Sequence, residues 1–114
     1  DVDATLGPFL QEAKRQGVGH IVFLSLLGVE KNPVVPHRAI EAKIRELGFE
    51  YTLLRASFFA QNLDTTHRAE IRDEGIIAVP AGRGKTSFTD VRDIAAVAAL
   101  ALTEPGHDDR AYDL

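Results

Sequence analysis

The sequence predicts an α/β fold, a parallel β-sheet flanked by helices, from three observations. Short segments rich in β-branched and aromatic residues alternate with segments of helical periodicity, which is typical of βαβ units. The apolar fraction of 45% and the charged fraction of 26% are those of a folded globular protein. The 114 residues fit one domain, because a domain commonly contains ~100 to 200 residues.

The first half of the chain predicts two helix-strand pairs. Apolar residues at helical spacing predict a helix within residues 3–16, and Gly17 ends it. The dense apolar run in "HIVFLSLLG" predicts a strand buried on both faces, which ends at Gly28. A second apolar stripe predicts a helix over residues 37–47 with Gly48 as its stop, and "FEYTLLR" predicts the next strand.

The second half continues the alternation with shorter elements. "DTTHRAEIRDEG" predicts a short helix ending at Gly75, followed by a small strand over residues 76–79 and a loop at "AGRGKTS". Thr89 or Asp90 is suited to cap the next helix, and residues 94–102 are apolar nearly all round, so we expect that helix to be buried. "RAYDL" predicts a final strand.

Composition excludes several classes of partner and site. A net charge of −4 argues against a surface for nucleic acid, which requires clustered Lys and Arg. The absence of cysteine fits a cytoplasmic protein, and no apolar run approaches the ~20 residues needed to cross a membrane. The chain begins at Asp1 and contains no methionine, so we expect it to be part of a longer polypeptide.

Three familiar catalytic or ligand motifs are absent or incomplete. "GRGKT" lacks the glycine that a phosphate-binding loop needs at position 79, where valine stands, so we interpret it as a turn with solvated charges. The four histidines lack the spacing of a zinc site, and we predict no metal. Ser25 is not in a Gly-x-Ser-x-Gly turn, which argues against esterase chemistry.

The candidate site lies after the two predicted strands, because parallel sheets bind ligands beyond the carboxyl ends of their strands. Ser25 follows the first strand, and residues 55–58 follow the second. An equally weighted alternative is that Ser25 caps a loop and Phe58 is core. His37 and Glu41 are one helical turn apart, so they are able to pair, either as a site or as a surface contact worth a few tenths of a kcal/mol.

Three long segments together resemble the NmrA-like branch of the atypical short-chain dehydrogenase/reductase superfamily: "HIVFLSLLG", "PHRAIEAKIRELGFEYTLLRASFFAQNL" and "DVRDIAAVAALALTEPGHDDRAYDL". The resemblance implies a Rossmann-type sheet that binds NAD or NADP. It also implies that residues 1–114 are a single partial domain, the carboxyl half, without the glycine-rich nucleotide-binding half. Alone, the chain should bind nucleotide weakly or not at all.

The resemblance also implies roles for individual residues. Ser25 falls in the region of the superfamily's active-site serine, and His37 and Glu41 fall where its tyrosine and lysine stand. We therefore predict His37 as the catalytic residue. The residues predicted to contact the cofactor are Ser25, Leu26, His37, Arg55, Ala56, Ser57 and Phe58. Ala56 replaces a proline common in relatives, which leaves that loop less rigid, and Asn62 matches a position that fixes it.

The function implied by this resemblance is an NAD(P)H-dependent reductase acting on a quinone, azo compound or similar small-molecule electron acceptor. A catalytically silent NAD(P)-sensing regulator is the alternative, because the tyrosine and lysine pair is lost. A third hypothesis is a structural half-domain with no activity of its own. We expect no nucleic-acid or membrane partner, and the sequence leaves open a homo-oligomer or a regulatory protein partner.

Overall fold

A computed structural model describes residues 4–80 and 82–114 and contains a parallel sheet with helices on both faces. The helices are α1 (Leu6–Arg15), α2 (Pro36–Glu46), α3 (Arg68–Glu74) and α4 (Val91–Thr103). The strands are β1 (His20–Leu26), β2 (Glu50–Ala56), β3 (Phe58–Phe59), β4 (Phe88–Thr89) and β5 (Arg110–Asp113). Two short 3₁₀ turns, Val29–Lys31 and Ala60–Leu63, follow β1 and β3.

The main sheet has the strand order β1-β2-β5, and its neighbouring strands are parallel. In its register Ser25 lies beside Arg55, and Arg55 lies beside Asp113, so all three strands end at the same edge. Parallel neighbours require crossover connections, which α2 supplies between β1 and β2. The predicted α/β fold, a parallel sheet flanked by helices, is confirmed.

The core consists of two layers because both faces of the sheet are covered. On one face, Leu10 of α1, Ile44 of α2 and Phe49 form one buried cluster. On the other, Leu54 and Ala56 of β2 pack with Ile94 of α4. This two-sided burial explains the continuous apolar run of β2, since a half-buried strand would alternate apolar and polar residues.

Most of the predicted helices and strands are confirmed, and the backbone conformation of glycine explains where two of the helices end. Gly48 and Gly75 end α2 and α3 with φ angles of 70° and 67°, a left-handed conformation that side chains with a Cβ disfavour. The predicted helix within residues 3–16 begins at Leu6, and residues 1–3 lie outside the described residues.

Two predictions about the second half are wrong. Residues 76–79 form no strand, because a strand needs a neighbour to pair with, and the short strand here is β4, which pairs with β3. Helix α4 is not buried all round, since Leu100 and Leu102 are 48% and 58% exposed. Only one face of α4, which includes the buried Ile94, meets the sheet.

Candidate functional site

The candidate site is built where β1 and β2 end and α2 begins. Ser25 and Arg55 are neighbours in register on these strands, and Glu41 projects from α2 onto both of them. Their side chains share one sheet face because they stand at matching positions of the alternation along parallel strands. Ser25 and Glu41 are 5% and 3% exposed, so water does not satisfy their polar atoms.

Glu41 holds this group together through four hydrogen bonds. The Ser25 hydroxyl donates to Oε1 at 2.6 Å, and Arg45 Nη2 donates to Oε2 at 3.3 Å. Arg55 donates from Nε to Oε1 at 3.1 Å and from Nη2 to Oε2 at 2.8 Å. This two-pronged contact between guanidinium and carboxylate is the strongest geometry for such a pair. Glu41 therefore anchors α2 to the ends of both strands.

The charges of this group decide the protonation of Glu41. Burial raises the pKa of the Glu41 carboxyl, but the hydrogen bonds from Arg55 and Ser25 and the nearby positive charges outweigh burial, so its pKa lies below the usual value. Arg55 Nη1 also lies 3.5 Å from Glu30 Oε2. The hydrogen bond to Glu41 is the largest cause that raises the pKa of Arg55. The group is an ion pair at neutral pH.

His37 and Glu41 do not form the pair that their one-turn spacing would allow, because the partners of Glu41 are Ser25, Arg45 and Arg55. The imidazole lies on the first turn of α2 and packs beside the Phe23 ring of β1, with centroids 6.2 Å apart. Its Nδ1 atom is buried and has no hydrogen-bond partner among residues 4–80 and 82–114. Glu41 prefers the guanidinium because a charged donor with two parallel N–H groups gives stronger bonds than one imidazole.

The predicted cofactor-binding residues separate into two groups. Leu26 and Ala56 are neighbours in register, beside the pair Ser25 and Arg55, at the carboxyl edge of the sheet. Ser57 and Phe58 leave this edge: Ser57 connects β2 to β3, and Phe58 belongs to the small sheet of β3 and β4. There the Ser57 hydroxyl lies 2.8 Å from Thr86 Oγ1, and the Phe58 ring stacks on His67 at 5.5 Å.

Sequence analysis missed a second contact that fixes the loop after β3. Gln61 donates to Asp90 Oδ1 at 2.8 Å and accepts from the Val91 amide at 3.1 Å, which ties this loop to the start of α4. Asp90 caps α4 by accepting from the Arg92 amide. The Arg92 side chain is the main cause that holds the pKa of Asp90 far below its usual range. The Asp90 cap was predictable, but its partner Gln61 was not.

Asn62 contributes to the same loop through its backbone, because its carbonyl accepts from the His67 amide at 2.9 Å. Among the described residues, no cluster of three or more His, Asp or Glu side chains is arranged to hold a metal ion. None of the helices in that part of the chain is both long and apolar enough to span a membrane.

Comparison with known proteins gives several reductases as relatives. The chain is 40% identical over 104 residues to an NAD(P)H azoreductase of Xenophilus azovorans, an overlap of 88% of this chain and 36% of the relative. It is 32% identical over 108 residues to quinone oxidoreductase 2 of Escherichia coli, covering 92% of this chain and 37% of that protein. The chain thus spans little more than a third of these relatives. No protein-family model matches it.

A solved structure matches the fold described above. Triphenylmethane reductase of a Citrobacter species, crystallised with NADP(H), superposes with a TM-score of 0.78 at 28% identity. The superposition covers 95% of this chain and 39% of the reductase. The fold of this chain therefore corresponds to one part of the larger triphenylmethane reductase structure.

Proposed function

We propose that this chain is part of an NmrA-like NAD(P)H-dependent reductase that reduces a quinone, an azo compound or a related electron acceptor. The observation that carries the proposal is the match of nearly the whole chain to a reductase crystallised with NADP(H). The names of the relatives, azoreductase and quinone oxidoreductase, support the class of acceptor. No observation favours the regulatory alternative over this reading.

The chain is, in this proposal, the carboxyl part of a nucleotide-binding domain. In Rossmann folds the second half adds its strands outward from the first strand of the domain. Strand β1 pairs only with β2 among the described residues, and Leu24 on it is 41% exposed. Apolar cavities of 350 and 270 Å³ flank β1, one lined by α4 and one by α1 and α2. These surfaces support a further strand and helix beside β1.

His37 is assigned the role of proton donor at the acceptor. A bound nicotinamide would supply the hydride, and reduction of a quinone then also requires a proton at oxygen. An imidazole is suited to give that proton near neutral pH. The site fits a cofactor in that the buried Nδ1 of His37 is not used by any described protein group, which leaves it available to a ribose hydroxyl.

The remaining predicted residues support His37 or line the edge. Ser25 and Arg55 act through Glu41, because Glu41 uses their hydrogen-bonding groups to hold the first turns of α2 against the strands. Leu26 and Ala56 place backbone at the edge where dinucleotides bind in such sheets. In this assignment Ser57 and Phe58 continue the wall of the site toward the small sheet.

The test is cofactor oxidation by the full-length protein, with NADH and NADPH supplied separately and a quinone or azo compound as acceptor. We expect acceptor-dependent turnover, which His37→Gln lowers by about a hundredfold in kcat, the usual size of a lost acid catalyst. His20→Gln is the matched control, because His20 begins β1 at the opposite end of the sheet. Cofactor binding without turnover by any acceptor would favour the regulatory alternative instead.

A further inference from the structure

The small sheet of β3 and β4 builds an apolar pocket to which the mechanism above assigns no ligand. The pocket encloses about 220 Å³ and is lined, among the described residues, by Phe58, Ile77, Val79, Thr86 and Phe88. We call it the aromatic pocket. The chain connects it to the carboxyl edge of the main sheet, because β3 begins two residues after β2 ends at Ala56.

The two phenylalanine rings of the aromatic pocket contact each other, and one of them also contacts His67. The Phe58 ring stacks on His67, which is itself held by Glu70. The Phe88 ring meets Phe58 edge-on, with centroids 5.0 Å apart and planes at 66°. Parallel pairing of β3 with β4 sets this contact, since Phe58 and Phe88 are neighbours in register. Rings that already contact one another in this way present a preformed surface, which lowers the entropic cost of binding a flat ligand.

The apolar side chains that line the pocket are partly exposed to solvent. Ile77, Val79 and Phe88 are 44%, 47% and 50% exposed. Single exposed apolar side chains are ordinary, but several around one concavity indicate a binding surface. Thr86 supplies the only polar side chain among the described lining residues, and no charged group is present. The chemistry therefore favours a neutral and apolar ligand.

We propose that the aromatic pocket binds the ring system of the electron acceptor, a neutral planar aromatic of one or two fused rings. The proposal rests on the reductase function proposed above. A cavity of ~150 Å³ is already large enough to hold benzene, so 220 Å³ suits a molecule of this size. The ring edges and faces of Phe58 and Phe88 would contact the flat ligand in the offset or edge-on arrangements that aromatic pairs prefer.

The experiment measures KM for benzoquinone and for naphthoquinone in the full-length protein. We expect Phe88→Ala to raise the KM for naphthoquinone about tenfold, and that for benzoquinone less, while the KM for the nicotinamide cofactor stays constant. Ile77→Ala should raise the KM for naphthoquinone severalfold. Its matched control is Ile76→Ala, since Ile76 is 48% exposed but does not line the pocket.

The outcomes separate this proposal from the proposed function. Turnover with an unchanged KM for naphthoquinone in both Phe88→Ala and Ile77→Ala would overturn the pocket and leave the reductase intact. If Phe88→Ala does not fold, the pair Ile77→Ala and Ile76→Ala gives the same answer. If the unaltered protein has no turnover, the reductase function fails. Calorimetry with naphthoquinone then tests the pocket directly, and absence of binding would overturn it.

Discussion

The two ends of the main sheet both bury polar side chains, but they do so with different chemistry. At the amino end, the fully buried Thr52 hydroxyl donates to the His107 carbonyl at 2.7 Å and lies 3.0 Å from His20 Nε2. At the carboxyl end, Glu41 is a buried carboxylate held by Arg55. The Thr52 hydroxyl is satisfied by a backbone carbonyl and an imidazole, and the Asp108 carboxylate near His20 Nδ1, at 3.5 Å, is half-exposed. The ion pair at the carboxyl end is buried, so it must overcome the desolvation of two charges.

The difference teaches where the protein requires a fixed geometry. Replacing a buried ion pair with apolar residues is often neutral or stabilising, so its presence is weak evidence for stability alone. At the carboxyl end the pair joins α2 to β1 and β2 at the edge where ligands bind in such sheets. We interpret it as the device that positions the start of α2, and with it His37.

The largest expected loss of stability comes from removing the Glu41 charge at the carboxyl end of the main sheet. Glu41→Gln leaves the Arg55 guanidinium without its buried charged partner, and only the half-exposed Glu30 carboxylate, 3.5 Å away, remains as its ion-pair partner among the described residues. We therefore expect the free energy of unfolding to fall by ~3 kcal/mol. Urea unfolding of the full-length protein measures it. Glu46→Gln is the matched control on the same helix, because Glu46 is exposed and its one ion-pair partner among the described residues is Lys43, at 3.2 Å. That change should cost less than ~0.5 kcal/mol. Equal losses would remove the distinction between buried and surface pairs.

The Glu41 carboxylate should also make the stability of the protein depend on pH. The pKa of Glu41 is lower in the folded protein than its ordinary value of 4.5, so the unfolded state binds more protons between the two values. The stabilisation is therefore fully present above pH 4.5 and is lost as pH falls through the folded pKa. Unfolding measured from neutral to acid pH should show a steeper loss for the unaltered protein than for Glu41→Gln. Parallel curves would contradict this assignment.

The smallest losses of stability should come from removing one buried hydroxyl at each end of the main sheet. The ratio of the two losses compares the two ends directly. Ser25→Ala removes a hydrogen bond to a buried carboxylate, which is worth ~2 kcal/mol, whereas Thr52→Val removes hydrogen bonds to a backbone carbonyl and an imidazole, worth ~1 kcal/mol. Both side chains are buried, at 5% and 0% exposure, so burial does not separate them. Thermal and urea unfolding of the two variants measure the difference. A greater loss for Thr52→Val would reverse the ranking of the two ends.

Local patterns were sufficient for most of the fold. The stops at Gly48 and Gly75 and the continuous apolar run of β2 follow from backbone preference and burial, which act within a few residues. The prediction of a strand over residues 76–79 was wrong because an apolar run does not show whether a neighbouring strand is available to pair with it. The prediction that α4 is buried was wrong for a related reason, since the composition of a helix does not say which of its faces other elements cover.

The candidate site was only partly predictable for a similar reason. Spacing along α2 gave His37 as the neighbour of Glu41, but the actual partner, Arg55, lies on another element fourteen residues away. That contact depends on how α2 sits over the register of β1 and β2, which no local rule contains. The placement of Ser25 and Arg55 side by side was foreseen only in general, from the rule that parallel strands end at one edge.

The free edge of β1 has a practical consequence for handling the molecule. Its backbone N–H and C=O groups on one side have no ladder partner among the described residues, and apolar cavities flank it. Such an edge is a template onto which any extended chain can add, including another copy. Expressed by itself at high concentration, this polypeptide should precipitate or form intermolecular β-structure, so a charged substitution such as Leu24→Lys would be a sensible first step in its purification.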